Sequence, residues 1–191
     1  MPRTRRNPAS KGTLIALAVG VGIVLLLVTK KASAMQSNIL SRLAVVLTPA
    51  QMANAQIIAG DFAAAGQPDN LTAAAIVNAW AESGLDEKKT GDHNHSIGLF
   101  MLDDVGGDGI GLSRQYREDP HNNIHVILSK EVLRGRGATL RARAAAGAGV
   151  AELAAIFSRD ILRPGDQAGE MTKRSDLAQT MFPEIADTMV A

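Results

Sequence analysis

One carboxylate, Glu82, stands near the end of an apolar run, Leu71 to Ser83, whose spacing predicts a buried helix. Burial, the negative end of the helix and the absence of a basic residue within four positions would each raise the pKa of this carboxyl. A carboxylic acid that keeps its proton near neutral pH can act as a general acid and then as a general base. Position alone favours an ordinary surface glutamate at a helix end, and a catalytic general acid/base is the alternative.

A glycine-containing hydrophobic segment follows and forms the second part of the candidate site. It reads Ser96-Ile97-Gly98-Leu99-Phe100-Met101, and it is predicted to be a short strand or a buried turn. A hydrolytic reaction would need a second carboxylate near Glu82. The loop candidates for that role are Asp92, Asp103 and Asp104.

Histidines offer a competing metal site. His121 and His125 lie four residues apart on a predicted helix and would share a face, so with His93 or His95 they could bind zinc. No glutamate completes an HExxH arrangement, so solvated histidines are the simpler interpretation and we predict no metal and no cofactor. A basic cluster is interpreted as solvated helix-end charge, with contact to a partner's carboxylates or to DNA as the alternative; it comprises Arg134, Arg136, Arg141 and Arg143.

The elements that position these residues are predicted to be helices. Of the 191 residues, 46% are hydrophobic but only 3% are aromatic, which favours closely packed, alanine-rich helices. A net charge of +1 indicates no polyanionic partner, and the absence of cysteine excludes disulfides and thiolate chemistry.

Capping signals give the expected helix boundaries. Thr48-Pro49-Ala50-Gln51 predicts a capping box and a helix that runs to Ala65 with Gly66 as its stop, and Asn70 is expected to cap the helix Leu71–Ser83. Later helices are predicted from Pro120, over Val150–Phe157 and over roughly Met171–Met181, and the stretch Leu140–Ala148 is alanine-rich and basic.

An uncharged segment, Gly12 to Thr29, is long enough for a membrane span. Its eighteen residues would extend roughly 27 Å as a helix, and Lys11 and Lys30-Lys31 flank it. The bias of basic residues favours a cytoplasmic N-terminus and a translocated domain. The rival interpretation is a cleaved signal peptide that ends at Ala32-Ser33-Ala34.

Several motifs together resemble the lysozyme-like lytic transglycosylase superfamily, which includes goose-type lysozymes and phage virion-associated murein hydrolases. The catalytic part of the resemblance is carried by Glu82-Ser83-Gly84, Gly91-Asp92 and Ser96-Ile97-Gly98-Leu99-Phe100. The C-terminal part is similar to the phage branch at Asp119-Pro120, Ala154-Ala155-Ile156-Phe157, Arg163-Pro164, Arg174 and Ala178. The similarity covers about residues 68–183.

The resemblance implies a mainly α, lysozyme-like domain with a small irregular or β element. It implies that Glu82 protonates the oxygen between MurNAc and GlcNAc and then accepts the proton of the MurNAc C6 hydroxyl, which leaves a 1,6-anhydro product. The substrate-binding residues that it implies are Ser83, Ser96, Gly98, Leu99, Phe100, Met101 and Phe157.

Two departures keep other functions open. Met101 stands where the family has glutamine, and Phe157 stands at the position of a family tyrosine, for which Tyr116 is the one tyrosine available. The alternatives are a non-catalytic structural or entry protein that retains the fold, a hydrolytic lysozyme that uses a second aspartate, and a zinc-dependent hydrolase.

The predicted organisation follows the chain in four parts. These are a basic arm (1–11), a transmembrane helix (12–29), a linker with a helical segment (30–66) and the lysozyme-like domain (67–191). We expect a single-pass, membrane-anchored protein of a virion or of a bacterial inner membrane with its domain in the periplasm. The expected partners are peptidoglycan strands, membrane lipid through residues 12–29 and other virion or entry proteins, with no specific nucleic acid.

Overall fold

A computed structural model of the chain describes residues 39–41, 43, 44 and 46–183. This part is mainly helical and carries one small three-stranded sheet, as the sequence predicts. Within the described residues, no helix combines the length and the apolar character needed to cross a bilayer. The predicted arm, membrane span and cleavage pattern lie outside the described residues.

The helices follow one another along the chain, and the connection between the second and the third contains the small sheet. They are α1 (Pro49–Ala64), α2 (Asp69–Ser83), α3 (Arg114–Glu118), α4 (Pro120–Val126), α5 (Gly137–Ala145), α6 (Val150–Phe157) and α7 (Gln167–Met181). Two of them continue as π-helical segments, α4 into Ile127–Val132 and α6 into Ser158–Leu162.

The first helix begins at Pro49, as the sequence predicts, and ends at Ala64, one residue before the predicted end. Thr48 accepts a hydrogen bond from the backbone of Gln51, and the Gln51 side chain bonds back to the Thr48 backbone, which completes the capping box. Gly66 follows the helix with φ +69°, a left-handed conformation that costs glycine little.

The second helix, α2, is the centre of the domain. It packs against α1, α6 and α7, and its side chains from Leu71 to Ala79 are buried. The helix ends because Gly84 adopts φ +68° and donates its N–H to the Trp80 carbonyl. Glu82 therefore lies in the last turn, as predicted.

The predicted Asn70 cap is wrong. The helix begins two residues earlier, at Asp69 after Pro68, and no described side chain caps it. The Asn70 amide instead donates to the carbonyls of Ala144 (3.0 Å) and Ala148 (2.9 Å), so it joins α2 to the end of α5.

The segment that the sequence left open between strand and turn contains both. The sheet has the order β1 (Thr90–Gly91), β2 (Ser96–Ile97), β3 (Leu102–Asp103), with both pairs antiparallel. A tight turn between β2 and β3 carries Gly98 to Met101.

Helix α5 spans Gly137–Ala145 and overlaps the alanine-rich, basic stretch, and the Ala148 carbonyl beyond its end accepts a hydrogen bond from Asn70. Helix α7 begins at Gln167, four residues before the predicted start, because Asp166 accepts a hydrogen bond from the Gly169 N–H. Helix α6 has the predicted bounds.

Candidate active site

Glu82 reaches the surface at the junction of α2 and α7. Its side chain is 22% exposed, and its Oε1 lies 2.6 Å from Nη2 of Arg174, whose own side chain is 8% exposed. The same nitrogen lies 3.0 Å from Oε2 of Glu170. We call Glu82, Glu170 and Arg174 the Arg174 cluster.

The pKa of the Glu82 carboxyl is raised above its ordinary value. Burial is the main cause, and the nearby Glu170 adds to it, whereas the charge and hydrogen bond of Arg174 act in the opposite direction. The direction of the shift agrees with the expectation from the sequence. That expectation assumes that no basic residue lies near Glu82, and this assumption is wrong in the folded protein. No basic residue is close in sequence, yet Arg174, 92 positions away, forms an ion pair with Glu82.

Ser83 fixes the hydrophobic turn against the end of α2. Its buried hydroxyl lies 2.9 Å from the Ala79 carbonyl and 3.0 Å from the Leu99 carbonyl. Both contacts use backbone acceptors of the protein itself. Ser83 therefore holds the turn that contains Leu99 beside Glu82, which is a positioning role.

Gly98 is required by a close backbone approach. It has φ +88°, and a Cβ at this position would lie 2.4 Å from the Arg117 carbonyl and would overlap the Asn123 amide. Asn123 is fully buried and binds the turn, because it accepts from the Phe100 N–H (3.0 Å) and donates to the carbonyls of Ile97 (3.1 Å) and Arg117 (2.8 Å). Gly98 thus shapes the turn, and sequence reasoning missed Asn123.

Three of the expected substrate-binding side chains lie in the core. Leu99, Phe100 and Phe157 are at most 3% exposed, and the rings of Phe100 and Phe157 stack with centroids 5.9 Å apart. They support the turn from inside. Within the described residues, no hydrogen bond joins Tyr116 to Glu82, so Tyr116 does not replace the missing tyrosine hydroxyl.

Ser96 and Met101 are the expected substrate residues that keep partial exposure. Met101 has φ +48°, an uncommon conformation for a residue with a side chain, and it lines a pocket of about 360 Å³. Glu82 is not among the residues that line this pocket. The other lining residues are Phe100, Leu102, Asp103, Gly106, Gly107, Asp108, Ile127, Ile161, Leu162 and Arg163.

Two of the three loop aspartates are engaged by neighbouring groups. Asp103 accepts from the N–H groups of Val105 and Gly106. Asp104 contacts His95 and lies 2.6 Å from Nη2 of Arg117, and its pKa is lowered, first by the hydrogen bond with His95. The third aspartate, Asp92, is exposed.

A second group of one arginine and two carboxyls lies beside the 360 Å³ pocket. Arg163 Nη2 lies 3.4 Å from Asp108 and 3.6 Å from Glu131, and we call these three residues the Arg163 cluster. Glu131 is 8% exposed, and its pKa is raised by burial and then by the neighbouring Asp108. Arg163 has φ +56°, and Glu131 belongs to a π-helical segment.

The histidines line a different groove. His121 and His125 border a groove of about 490 Å³ together with Asp61, which lies 2.9 Å from Nδ1 of His121. In the part of the chain that the structure describes, no group of three or more histidine or acidic side chains could hold a metal ion.

The basic cluster makes local contacts. Arg141 donates to the carbonyls of Val132 and Arg134, and Arg143 lies 2.6 Å from Glu152 on the surface. These contacts agree with the interpretation of solvated charge at helix ends.

The groups that sequence reasoning did not assign to the site come from distant parts of the chain. The resemblance includes Arg174 but assigns it no role, and no motif of the sequence includes Glu170. The one local signal was the spacing of four residues between Glu170 and Arg174, which predicts a pair on one face of a helix. No family model, curated protein or solved structure matches the chain, so its function is inferred from its motifs and from the geometry of these residues.

Proposed function

We propose that this protein is a lytic transglycosylase with a lysozyme-like domain, which cleaves the β-1,4 bond between MurNAc and GlcNAc in peptidoglycan. Glu82 is the general acid and then the general base. The observation that carries the proposal is a mostly buried carboxyl with a raised pKa in the last turn of the central helix, beside a small antiparallel sheet.

The chemistry requires one titrating group. Glu82 donates its proton to the oxygen that leaves between the two sugars, and the C1–O bond breaks. The resulting carboxylate accepts the proton of the MurNAc C6 hydroxyl as that oxygen bonds to C1. This hydroxyl is tethered near C1, so its effective concentration exceeds that of a free nucleophile, and a second carboxylate that activates water is not needed.

The surroundings of the loop aspartates favour the lyase over a hydrolytic lysozyme. Asp103 and Asp104 are used by the loop backbone, His95 and Arg117, so each is already committed to holding its own loop. Asp92 remains as an exposed candidate.

A non-catalytic structural or entry protein is the second candidate, and one observation favours it. The ion pair of 2.6 Å between Glu82 and Arg174 is also what a purely structural carboxylate would form. The buried Phe157, which has no hydroxyl to offer, points in the same direction.

The location is part of the proposal. Residues 12–29 would anchor the protein in a membrane, and the domain would act on the cell wall from a virion during genome entry or from a bacterial inner membrane. Its partners would be glycan strands, membrane lipid and other virion or entry proteins.

Digestion of purified murein by the full-length protein tests the proposal. We expect the wild type to release soluble muropeptides and Glu82→Gln to release none, because glutamine keeps the shape of the side chain but cannot transfer a proton. Circular dichroism and a melting curve must show that the variant is folded. A folded wild type that binds murein without cleaving it would favour the structural protein.

A further inference from the structure

Arg174 is shared by two carboxyls through one nitrogen atom. Nη2 carries two hydrogens, and its neighbours at 2.6 and 3.0 Å are Glu82 Oε1 and Glu170 Oε2. The three side chains are only 8% to 22% exposed. One guanidinium charge is therefore divided between two acidic groups in a poorly solvated place.

The charge balance of this cluster favours one bound proton. With both carboxyls ionised, the Arg174 cluster carries a net negative charge, which low solvation penalises. Adding one proton makes these three poorly solvated groups neutral in sum, and Lys173, which pairs with Glu170, is 68% exposed, so water screens most of its charge. The question is then which carboxyl holds the proton.

Lys173 distinguishes the two carboxyls. Its Nζ lies 2.7 Å from Glu170 Oε1, so Glu170 bonds a cation with each of its oxygens. Glu82 has a single cationic partner, and its raised pKa agrees with the proton being on this side. The charged groups that act on Glu82 in the described chain are Arg174 and Glu170, with Lys173 acting on Glu170 and Asp166 near Lys173.

We propose that Glu170 is a positioning residue for Glu82: its carboxylate occupies Arg174 and Lys173, so that Arg174 does not fully neutralise Glu82 and the transferable proton stays on Glu82. This inference rests on the proposed function for its catalytic meaning. The proton distribution itself can be measured without turnover.

The test is an NMR titration of the Glu82 side-chain carboxyl in the full-length, ¹³C-labelled protein. In Glu170→Gln we expect the Glu82 titration to move to lower pH by on the order of one unit, because a neighbouring negative charge is lost and Arg174 is free to pair with Glu82 alone. Glu170→Asp keeps the charge and should stay closer to the wild type. An unchanged Glu82 titration, an upward shift, or a larger shift in Glu170→Asp than in Glu170→Gln would overturn the proposal.

Glu152→Gln is the matched control. It also removes one negative charge from a glutamate paired with an arginine, but Glu152 bonds Arg143 on the surface of another helix. We expect no shift of Glu82 in this variant. A shift as large as that of Glu170→Gln would mean that the net charge of the protein, and not the shared guanidinium, determines the titration of Glu82. This result would overturn the proposal.

The pH–activity profile adds a functional readout. Activity that needs protonated Glu82 falls on the basic side, so in Glu170→Gln this limb should move to lower pH while the acidic plateau of kcat is kept. Loss of kcat at every pH in folded Glu170→Gln would make Glu170 a catalytic residue and overturn the positioning role. If the wild type cleaves no murein, the proposed function fails, whereas the NMR titration still decides the role of Glu170.

Discussion

The Arg174 cluster and the Arg163 cluster have the same composition, one arginine with two carboxyls, but they differ in how tightly they are built. Arg174 is 8% exposed and holds its carboxylates at 2.6 and 3.0 Å, whereas Arg163 is 35% exposed and holds its partners at 3.4 and 3.6 Å. The first cluster joins the ends of two long helices. The second joins Asp108, in the loop after β3, to the two π-helical segments.

Each cluster contains one carboxyl whose pKa is raised mainly by burial, Glu82 in the first and Glu131 in the second. A raised pKa is therefore not sufficient to identify the general acid. What distinguishes Glu82 is its place in the last turn of α2 next to the turn held by Ser83, together with the motifs of the resemblance. The comparison makes Glu131 a natural control for Glu82.

The largest expected difference is in murein cleavage. Glu82→Gln should lower the rate by at least about 100-fold, because general acid–base catalysis contributes typically 10² to 10⁴. Glu131→Gln removes another buried carboxyl whose pKa is raised and should leave the rate within about threefold, since Glu131 acts in no chemical step. Release of soluble muropeptides measures both. Equal losses of the cleavage rate in the two folded variants would contradict the assignment of the general acid to Glu82 and not to Glu131.

Stability should separate the two arginines. Arg174→Met keeps the aliphatic stem but leaves two poorly solvated carboxyls without their shared partner, so we expect a loss of about 2 kcal/mol in the free energy of unfolding. Arg163→Met breaks longer ion pairs of a more exposed arginine and should cost less than about 1 kcal/mol. Chemical denaturation at neutral pH measures both values. A larger loss in Arg163→Met than in Arg174→Met would contradict the conclusion that the Arg174 cluster is the more tightly built of the two.

A smaller effect is the pH dependence of stability. Because the folded-state pKa of Glu82 is raised, the stability linked to this group is fully present below its unfolded pKa and is lost as the pH rises through its folded pKa. Relative to the wild type, Glu82→Gln and Glu131→Gln should therefore both gain stability as the pH rises.

Asp104→Asn should change the pH dependence of stability in the opposite direction. The folded-state pKa of Asp104 is lowered, so the stability that this carboxyl contributes is present above its unfolded pKa. This contribution is lost as the pH falls through the folded-state pKa. Relative to the wild type, this variant should gain stability as the pH falls. Denaturation curves at several pH values check all three signs, and the same sign for Asp104→Asn and Glu82→Gln would contradict the assigned environments.

No effect is expected from chelation. A single carboxyl that transfers a proton needs no metal, so treatment with EDTA should leave murein cleavage unchanged. Loss of activity that zinc restores would make His121 and His125 ligand candidates and would favour the zinc-dependent hydrolase.

Local signals predicted much of the fold, and long-range contacts account for most of the errors. The Thr48–Gln51 capping box and the bounds of α6 depend on neighbouring residues and could be predicted. Asn70 has the chemistry of a cap but bonds to carbonyls more than 70 positions away, which no local pattern reveals.

The same limit applies to the site. Glu82 could be identified from its place at the end of an apolar helix, but its partner Arg174 is 92 residues away. The resemblance implies that Leu99 and Phe100 bind substrate, whereas the turn directs both side chains into the core. Asn123, which shapes that turn, follows a helix N-terminus and carries no sequence signal of its own.

The mass of the cleavage products tests the central claim most directly. If Glu82 acts alone and the C6 hydroxyl is the nucleophile, the fragments released by the full-length wild type should end in 1,6-anhydro-MurNAc, about 18 Da lighter than the reducing sugar because no water is added. Folded Glu82→Gln should release no such fragments. Reducing ends from the wild type, or anhydro ends from Glu82→Gln, would contradict a lytic transglycosylase that acts through Glu82.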